Sequence, residues 1–230
     1  MLLRLRVSLP DRPGALGQVT RVLGTIGADI HQVTVLGREG GRAVDDFTVA
    51  WPGDRAVPGE ESGEVQSDMT ADVRDRLAAV PGVSVEGVWR TREVPGSTPG
   101  YDLLRYVVAD PVRAFATLVD ALPDLVGADW ALTVATGRIG DASRVWADVV
   151  HRSLRAPEGF VPTGSVPPRA AVSADGGVGL LCVPLEEAAL CLVVGRAQGA
   201  AFHRAELDSV ARLVEVVSML AATGEATAVG

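Results

Sequence analysis

Apolar and polar residues alternate from the start of the chain: Leu3, Leu5, Val7 and Leu9 interleave with Arg4, Arg6 and Ser8. A period of two predicts a strand with one buried face. The period then changes, and Leu16, Val19, Thr20, Leu23 and Ile26 recur at helical spacing. Between the two lies Pro10-Asp11-Arg12-Pro13-Gly14-Ala15-Leu16, which must turn the strand directly into the helix. Asp11 is placed to close that turn and cap the helix, and Pro13 to fix φ in its first turn. Gly14 has no Cβ, so the backbone there stays open to a visitor. A helix start also bares N–H groups, which suit a carboxylate or a phosphate.

A second strand is predicted from Asp29 to Leu36, with His31, Val33 and Val35 on one face. Gly37 to Arg42 is a turn of glycines and charges. The third strand runs from about Ala43 to Trp51, with Phe47, Val49 and Trp51 on one side. Asp45 and Asp46 sit early in it, which predicts a solvated end or an edge. Pro52 to Gln66 reads as loop. A helix capped by Ser67 or Thr70 follows, with Met69, Val73, Leu77 and Val80 on its stripe and Pro81-Gly82 as its stop. The fourth strand is Val83 to Arg92, with Val83, Val85 and Trp89 facing in. Strand, helix, strand, strand, helix, strand is the split β-α-β order of the ferredoxin-like fold, an antiparallel sheet with both helices on one face.

The seven-residue turn, together with Gly27-Ala28-Asp29-Ile30 at the start of the second strand, resembles the ACT domain, a family of small regulatory modules that usually bind amino acids. The resemblance covers about the first two-fifths of the chain and implies the same element order. It also implies pairing through the open sheet face or the strand edges, hence a homodimer. The ligand is then expected between the first turn of one subunit and the second strand of its neighbour. That assigns Asp11, Arg12, Pro13, Gly14, Ala15 and Leu16, with Asp29 and Ile30 across the interface. The amides of 12–16 would receive a carboxylate, and Asp29 or nearby carbonyls an ammonium. Arg12 either meets the carboxylate or lies on the solvent side. The competing reading is that Asp11, Pro13 and Gly14 only shape a tight turn.

Glu93 to Gly100 is dense in proline and glycine and reads as a linker. Beyond it, Tyr101 to Val108 suggests a short strand or arm. Asp110-Pro111 opens a helix with Val112, Phe115, Val119, Leu122 and Val126 on its stripe. Trp130 to Thr136 alternates as a strand, and Asp141 is placed to cap a helix carrying Val145, Val149 and Val150. Ala156 to Pro168 is loop. Three strands follow, Arg169–Ala174, Val178–Leu185 and Ala189–Arg196, the first two joined by a hairpin at Asp175-Gly176-Gly177. A last helix, Arg204 to about Ala222, carries too broad an apolar face for one stripe, which suggests a second helix against it, from this chain or another subunit. Leu181-Cys182-Val183-Pro184-Leu185, the run Leu190 to Arg196, and Phe202 before Glu206-Leu207 make this half similar to a GAF domain. They are packing signals and imply a fold, not a ligand. The expected class is α+β: an ACT-like domain over 1–93, a linker over 94–100, a GAF-like antiparallel sheet with flanking helices over 101–222, and a disordered tail over 223–230.

Composition narrows the chemistry. The chain has 230 residues, 47% of them hydrophobic, with a formal charge of −8 and no lysine among its 21 basic residues. A nucleic-acid binder normally concentrates positive charge, and 4% aromatic residues supply few stacking platforms. No apolar run reaches the roughly 18–20 residues of a membrane span, so a cytoplasmic protein is expected. Cys182 and Cys191 are read as buried thiols set nearly opposite in a hairpin, with a disulfide as the alternative. His31, His151 and His203 lack metal-site spacing, and Ser153 and Ser218 lack a partner. No phosphate-binding loop, dinucleotide fingerprint, nucleophile elbow or zinc-protease motif occurs. The expectation is a non-catalytic, cofactor-free regulatory protein that binds a small amino acid or related metabolite at a dimer interface, with the second domain adding dimerisation or a second signal. The alternatives are a pure assembly protein, a sensor acting through the GAF-like half, or an enzyme with an unfamiliar site there.

Overall fold

The computed structural model describes residues 1–51, 63–91, 99–139, 143–185 and 188–228. The chain divides into two compact units, Met1–Pro95 and Gly96–Gly230, each built on one antiparallel sheet. It is an α+β protein.

The first unit runs β1 (Leu2–Pro10), α1 (Ala15–Thr25), β2 (Asp29–Glu39), β3 (Arg42–Ala50), α2 (Gly63–Ala78) and β4 (Ser84–Arg90). The sheet order is β2-β3-β1-β4, the ferredoxin-like arrangement. Leu3, Leu5, Val7 and Leu9 are at most 2% exposed and pack with Val19 and Leu23 of α1 and Val73 and Leu77 of α2. Each such side chain contributes about 1.5–3 kcal/mol by leaving water. β2 and β3 extend until only Gly40-Gly41 joins them, and both glycines have positive φ, as a two-residue hairpin turn demands. Helix α2 begins at Gly63, so Ser67 and Thr70 lie inside it and do not cap it.

The opposite face of this sheet corrects the sequence reading. Arg4, Arg6, Ser8, Asp46 and Thr48 are all buried, with Arg6 at 1% and Asp46 at 3%. Arg6 stands opposite Asp46 in the register. It donates Nε to Oδ1 at 2.7 Å and Nη2 to Oδ2 at 2.8 Å, while Arg4 donates Nε to Oδ2 at 3.0 Å. Both guanidinium groups lie over the Trp89 ring, at 5.9 and 5.7 Å. The polar half of the alternation is therefore a sealed ion-pair layer, and Asp45 and Asp46 sit on an interior strand, not at a solvated end.

The second unit runs α3 (Pro99–Ala109), a 3-10 turn (Pro111–Arg113), α4 (Ala114–Val126), β5 (Trp130–Ile139), β6 (Ser143–Arg152), β7 (Ala171–Asp175), β8 (Val178–Leu185), β9 (Leu190–Arg196) and α5 (Arg204–Ala228). Its sheet order is β6-β5-β9-β8-β7. One face packs on the three helices, through Leu103 and Val107, Leu118 and Leu122, and Val210, Val214 and Val217. The breadth of the α5 apolar face is thus accounted for by α3 and α4. The other face carries Trp130, Leu132, Val134, Cys182, Cys191 and Val193 and is covered by Ala156, Phe160 and Val166 of the 153–170 loop.

Five expectations change here. Tyr101 to Val108 is helix, and Leu103 and Val107, four residues apart, are its buried positions. Ser143–Arg152 is an edge strand, so Val145 and Val149 reflect chance helical spacing; Asp141 falls outside the described residues. Val112 is 91% exposed, because the first turn after Asp110 is 3-10 and rotates it away from the α4 stripe. α5 also runs past Ala222 to Ala228, and of the stretch read as linker, Pro99 and Gly100 are the first turn of α3.

The residues that carried the second resemblance form one buried knot. Arg196, 4% exposed, donates to the carbonyls of Val126 at 2.6 Å and Gly127 at 3.1 Å at the end of α4, and to Glu206 Oε1 at 2.8 Å. Its guanidinium lies 4.1 Å from the Phe202 ring. Glu206 Oε2 accepts from the His203 amide at 2.7 Å, which fixes the start of α5. A cation at a helix C-terminus and a carboxylate at a helix N-terminus are each favoured by the helix dipole.

Candidate functional site

The corner between β1 and α1 is built differently from the sequence expectation. Gly14, not Asp11, is the N-cap: its φ is +86°, and no side chain among the described residues caps the helix. Pro13 therefore lies in the turn and not at the first helical position, which is Ala15. Asp11 instead ties the corner to the β2–β3 hairpin. Its amide donates to Gly41 O at 2.9 Å, and its carboxylate lies 3.8 Å from Arg38 Nε.

The amides of 12–16 are not all available. The Arg12 amide donates to Pro10 O at 2.9 Å and that of Ala15 to Arg12 O at 3.2 Å. Pro13 has none. The amides of Gly14, Leu16 and Gly17 have no acceptor among the described residues. Asp11, Arg12, Pro13 and Gly14 are exposed, Leu16 is 39% exposed, and Ala15 is buried beneath them. A Cβ built on Gly14 meets nothing within 4 Å. The corner is a donor-rich surface open to solvent.

Asp29 and Ile30 do not approach it within the chain. Asp29 pairs with Ala50, which faces Leu2, whereas the corner follows Pro10. The nine residues of β1 separate the two groups by about 27 Å. Asp29 is highly exposed and 4.0 Å from His31 Nε2.

Asp45, two rungs in from the Leu9–Ala43 pair, is not the solvated end that the sequence suggests. Asp45 faces the helix side of the sheet, between Ala43 and Phe47, in register with Val7 and Val35. It is 3% exposed, and its Oδ1 is buried with no hydrogen-bond partner among the described residues. Burial pushes its carboxyl above the usual range; Arg38 opposes that, and Asp46 and Asp11 add to it. Between the ordinary and the folded value, the folded chain therefore holds a proton at Asp45 more readily than the unfolded one. The cost of its charge is absent below the ordinary value and grows as pH rises through the folded one. Asp45→Asn is expected to be at least as stable as wild type at pH 7, with a stability advantage that shrinks on acidification, as read from melting temperatures between pH 3 and 8.

Elsewhere the structure offers less. A groove of about 290 Å³ between α3 and α5 is lined by Gly100, Tyr101, Leu104 and Leu213 and presents no charge. Cys182 pairs with Val193 and Cys191 with Pro184, so the two cysteines are diagonal, not opposite. Both are free and buried. The hydrogen bond to Cys182 and burial push the Cys191 thiol up, and a protonated thiol is a poor nucleophile. Ser153 is structural: its Oγ accepts from the Ala131 amide at 2.9 Å. Among the described residues no group of His, Cys, Asp and Glu is arranged to hold a metal, and no helix is long and apolar enough to cross a membrane.

No family model matches the chain. No curated protein matches it either. Among solved structures, a formyltetrahydrofolate deformylase from Pseudomonas putida is similar over 47% of this chain, at 17% identity and a TM-score of 0.29. The chain spans 38% of that protein's length. An unknown protein from Galdieria sulphuraria is similar over 95% of this chain and 90% of its own, at 13% identity and a TM-score of 0.28. Likeness at this level carries no functional meaning, so the corner has to speak through its own residues.

Gly14 gives a direct check on how the corner is held. Its φ suits glycine, and an L side chain there is strained even with free space around it. Gly14→Ala is expected to lower stability by about 1–2 kcal/mol, measured by urea unfolding, while the neighbouring contacts persist. Gly14→Val would add a β-branch to the same strain and is the poorer probe of binding.

Proposed function

We propose that this chain is a non-catalytic regulatory protein whose first unit is an ACT-type domain that binds a small amino acid at the β1–α1 corner. The observation that carries this reading is the set of free amides at Gly14, Leu16 and Gly17, around a glycine with open space above it. Such donors at the positive end of a helix favour a carboxylate. Asp29 and Ile30 of a second copy would complete the site across a homodimer interface. Binding there would favour the assembled state by mass action. The second unit, read as GAF-like, would transmit or stabilise assembly.

Thermal-shift measurements with each of the twenty amino acids test this. A concentration-dependent rise in melting temperature for one or two of them is expected, with a matching rise in sedimentation coefficient if the site spans two copies. A flat panel would favour a pure assembly module. That second reading draws on Val33 and Val35, which are 37% and 47% exposed on β2, an outer strand of its sheet. Half-exposed valines on an outer strand suit pairing with another chain.

A further inference from the structure

We propose that Asp45 is the ammonium anchor of the corner, so that the ligand is a free α-amino acid with an apolar side chain rather than any small carboxylate. The inference rests on the amino-acid reading above and adds the residue that distinguishes an amino acid from other acids.

Asp45 is an ionisable side chain, 97% buried by its 3% exposure, with an oxygen that has no hydrogen-bond partner among the described residues. A buried carboxylate oxygen without a donor costs free energy and calls for an explanation. Its position supplies one. Asp45 lies on the sheet face against which Ala15 and Val19 of α1 pack. It is two rungs in from the Leu9–Ala43 pair that precedes the corner. α1 starts at the corner, so its free N-terminal amides lie over this end of the sheet. The charges that reach Asp45 are Arg38, Asp46 and Asp11. Asp46 is taken up by Arg4 and Arg6, and Arg38 is shared with Asp11. Among the described residues, two carboxylates and one shared guanidinium act on Asp45, and none of them hydrogen-bonds its Oδ1. A metal ion is a poor fit, since no three ligating side chains converge among the described residues. An ammonium, needing one carboxylate and a few further acceptors, fits.

The pairing also sets the side-chain preference. Val35 is in register with Asp45, and Val33 with Phe47, on the same face. Both valines are partly exposed. An apolar floor thus adjoins the carboxylate. Free amides for the carboxylate, Asp45 for the amine and Val33 with Val35 for the side chain together describe an aliphatic amino acid.

Isothermal titration of the full chain with L-valine, L-leucine and L-isoleucine, each beside the carboxylic acid that lacks its amine, decides the matter. Wild type should bind at least one of the three amino acids 30-fold or more tightly than its deaminated counterpart. Asp45→Asn should weaken the amino acid at least 30-fold and leave the deaminated acid within twofold. Equal wild-type affinity for the two members of a pair overturns the assignment without any variant. An Asp45→Asn protein that keeps the wild-type melting profile and binds the amino acid within threefold overturns it as well. Both results leave the corner standing as a carboxylate site. Silence from all three amino acids overturns the inference, and silence from the full panel of twenty removes the amino-acid reading beneath it.

Discussion

Asp46→Ala is expected to destabilise the first unit by about 3–5 kcal/mol, the usual cost of removing one partner from a buried ion pair. Asp46 is 3% exposed and receives both Arg4 and Arg6, the latter through two nitrogens at 2.7 and 2.8 Å. Without it, two guanidinium groups on one strand lose the carboxylate they share and repel each other inside the fold. Trp89 moderates this by offering its ring face to both, though such contacts reach only about 2 kcal/mol when desolvated. Replacing the whole layer should behave differently. A triple variant with Arg4→Leu, Arg6→Met and Asp46→Leu removes the charges together and should recover most of the loss. Urea unfolding followed by circular dichroism, fitted with one transition per unit, measures both. A single variant within 1 kcal/mol of wild type would mean that water reaches the layer and screens it.

That layer shows where sequence reading stops. A period of two places Leu3, Leu5, Val7 and Leu9 inside, and they are inside. The same period places Arg4, Arg6 and Ser8 on the other face, but cannot say whether that face meets water or an opposing carboxylate. Only the register, with Arg6 facing Asp46, separates the two. Asp45 was obscured for the same reason: an acid beside another acid near a strand end resembles a solvated terminus until the neighbouring strands are in place. The corner itself was legible because its signal is local, a proline and a glycine between a strand period and a helix period. Its hydrogen bonds were not. Asp11 is a good cap by residue type, yet the chain spends it on the β2–β3 hairpin and caps with Gly14. In the second unit, Tyr101–Val108 and Ser143–Arg152 are short segments rich in valine or leucine, where both periods fit. Packing against α4 makes a helix of the first, and pairing with β5 makes a strand of the second.

The second large effect is expected at Gly195. It faces Trp130 across the β5–β9 ladder, and a Cβ built on it would overlap the indole. The overlapped atoms belong to the fused rings, not to a flexible chain end, so no small rotation relieves the clash. Trp130 is 4% exposed and meets Phe160 edge to face at 4.9 Å, which ties the covering loop to the sheet. Gly195→Ala therefore has to expel the indole, and losing a packed tryptophan costs about 3–5 kcal/mol. The loop should loosen with it, visible as faster proteolysis between Ser153 and Ala170. Trp130→Leu alone should cost less, since a smaller apolar group still fills part of the space. Combined, the two should be less destabilising than their sum by at least 1 kcal/mol, because leucine leaves room for the new methyl. Additive costs in that double-mutant cycle would show that the glycine is required by its backbone and not by the ring above it.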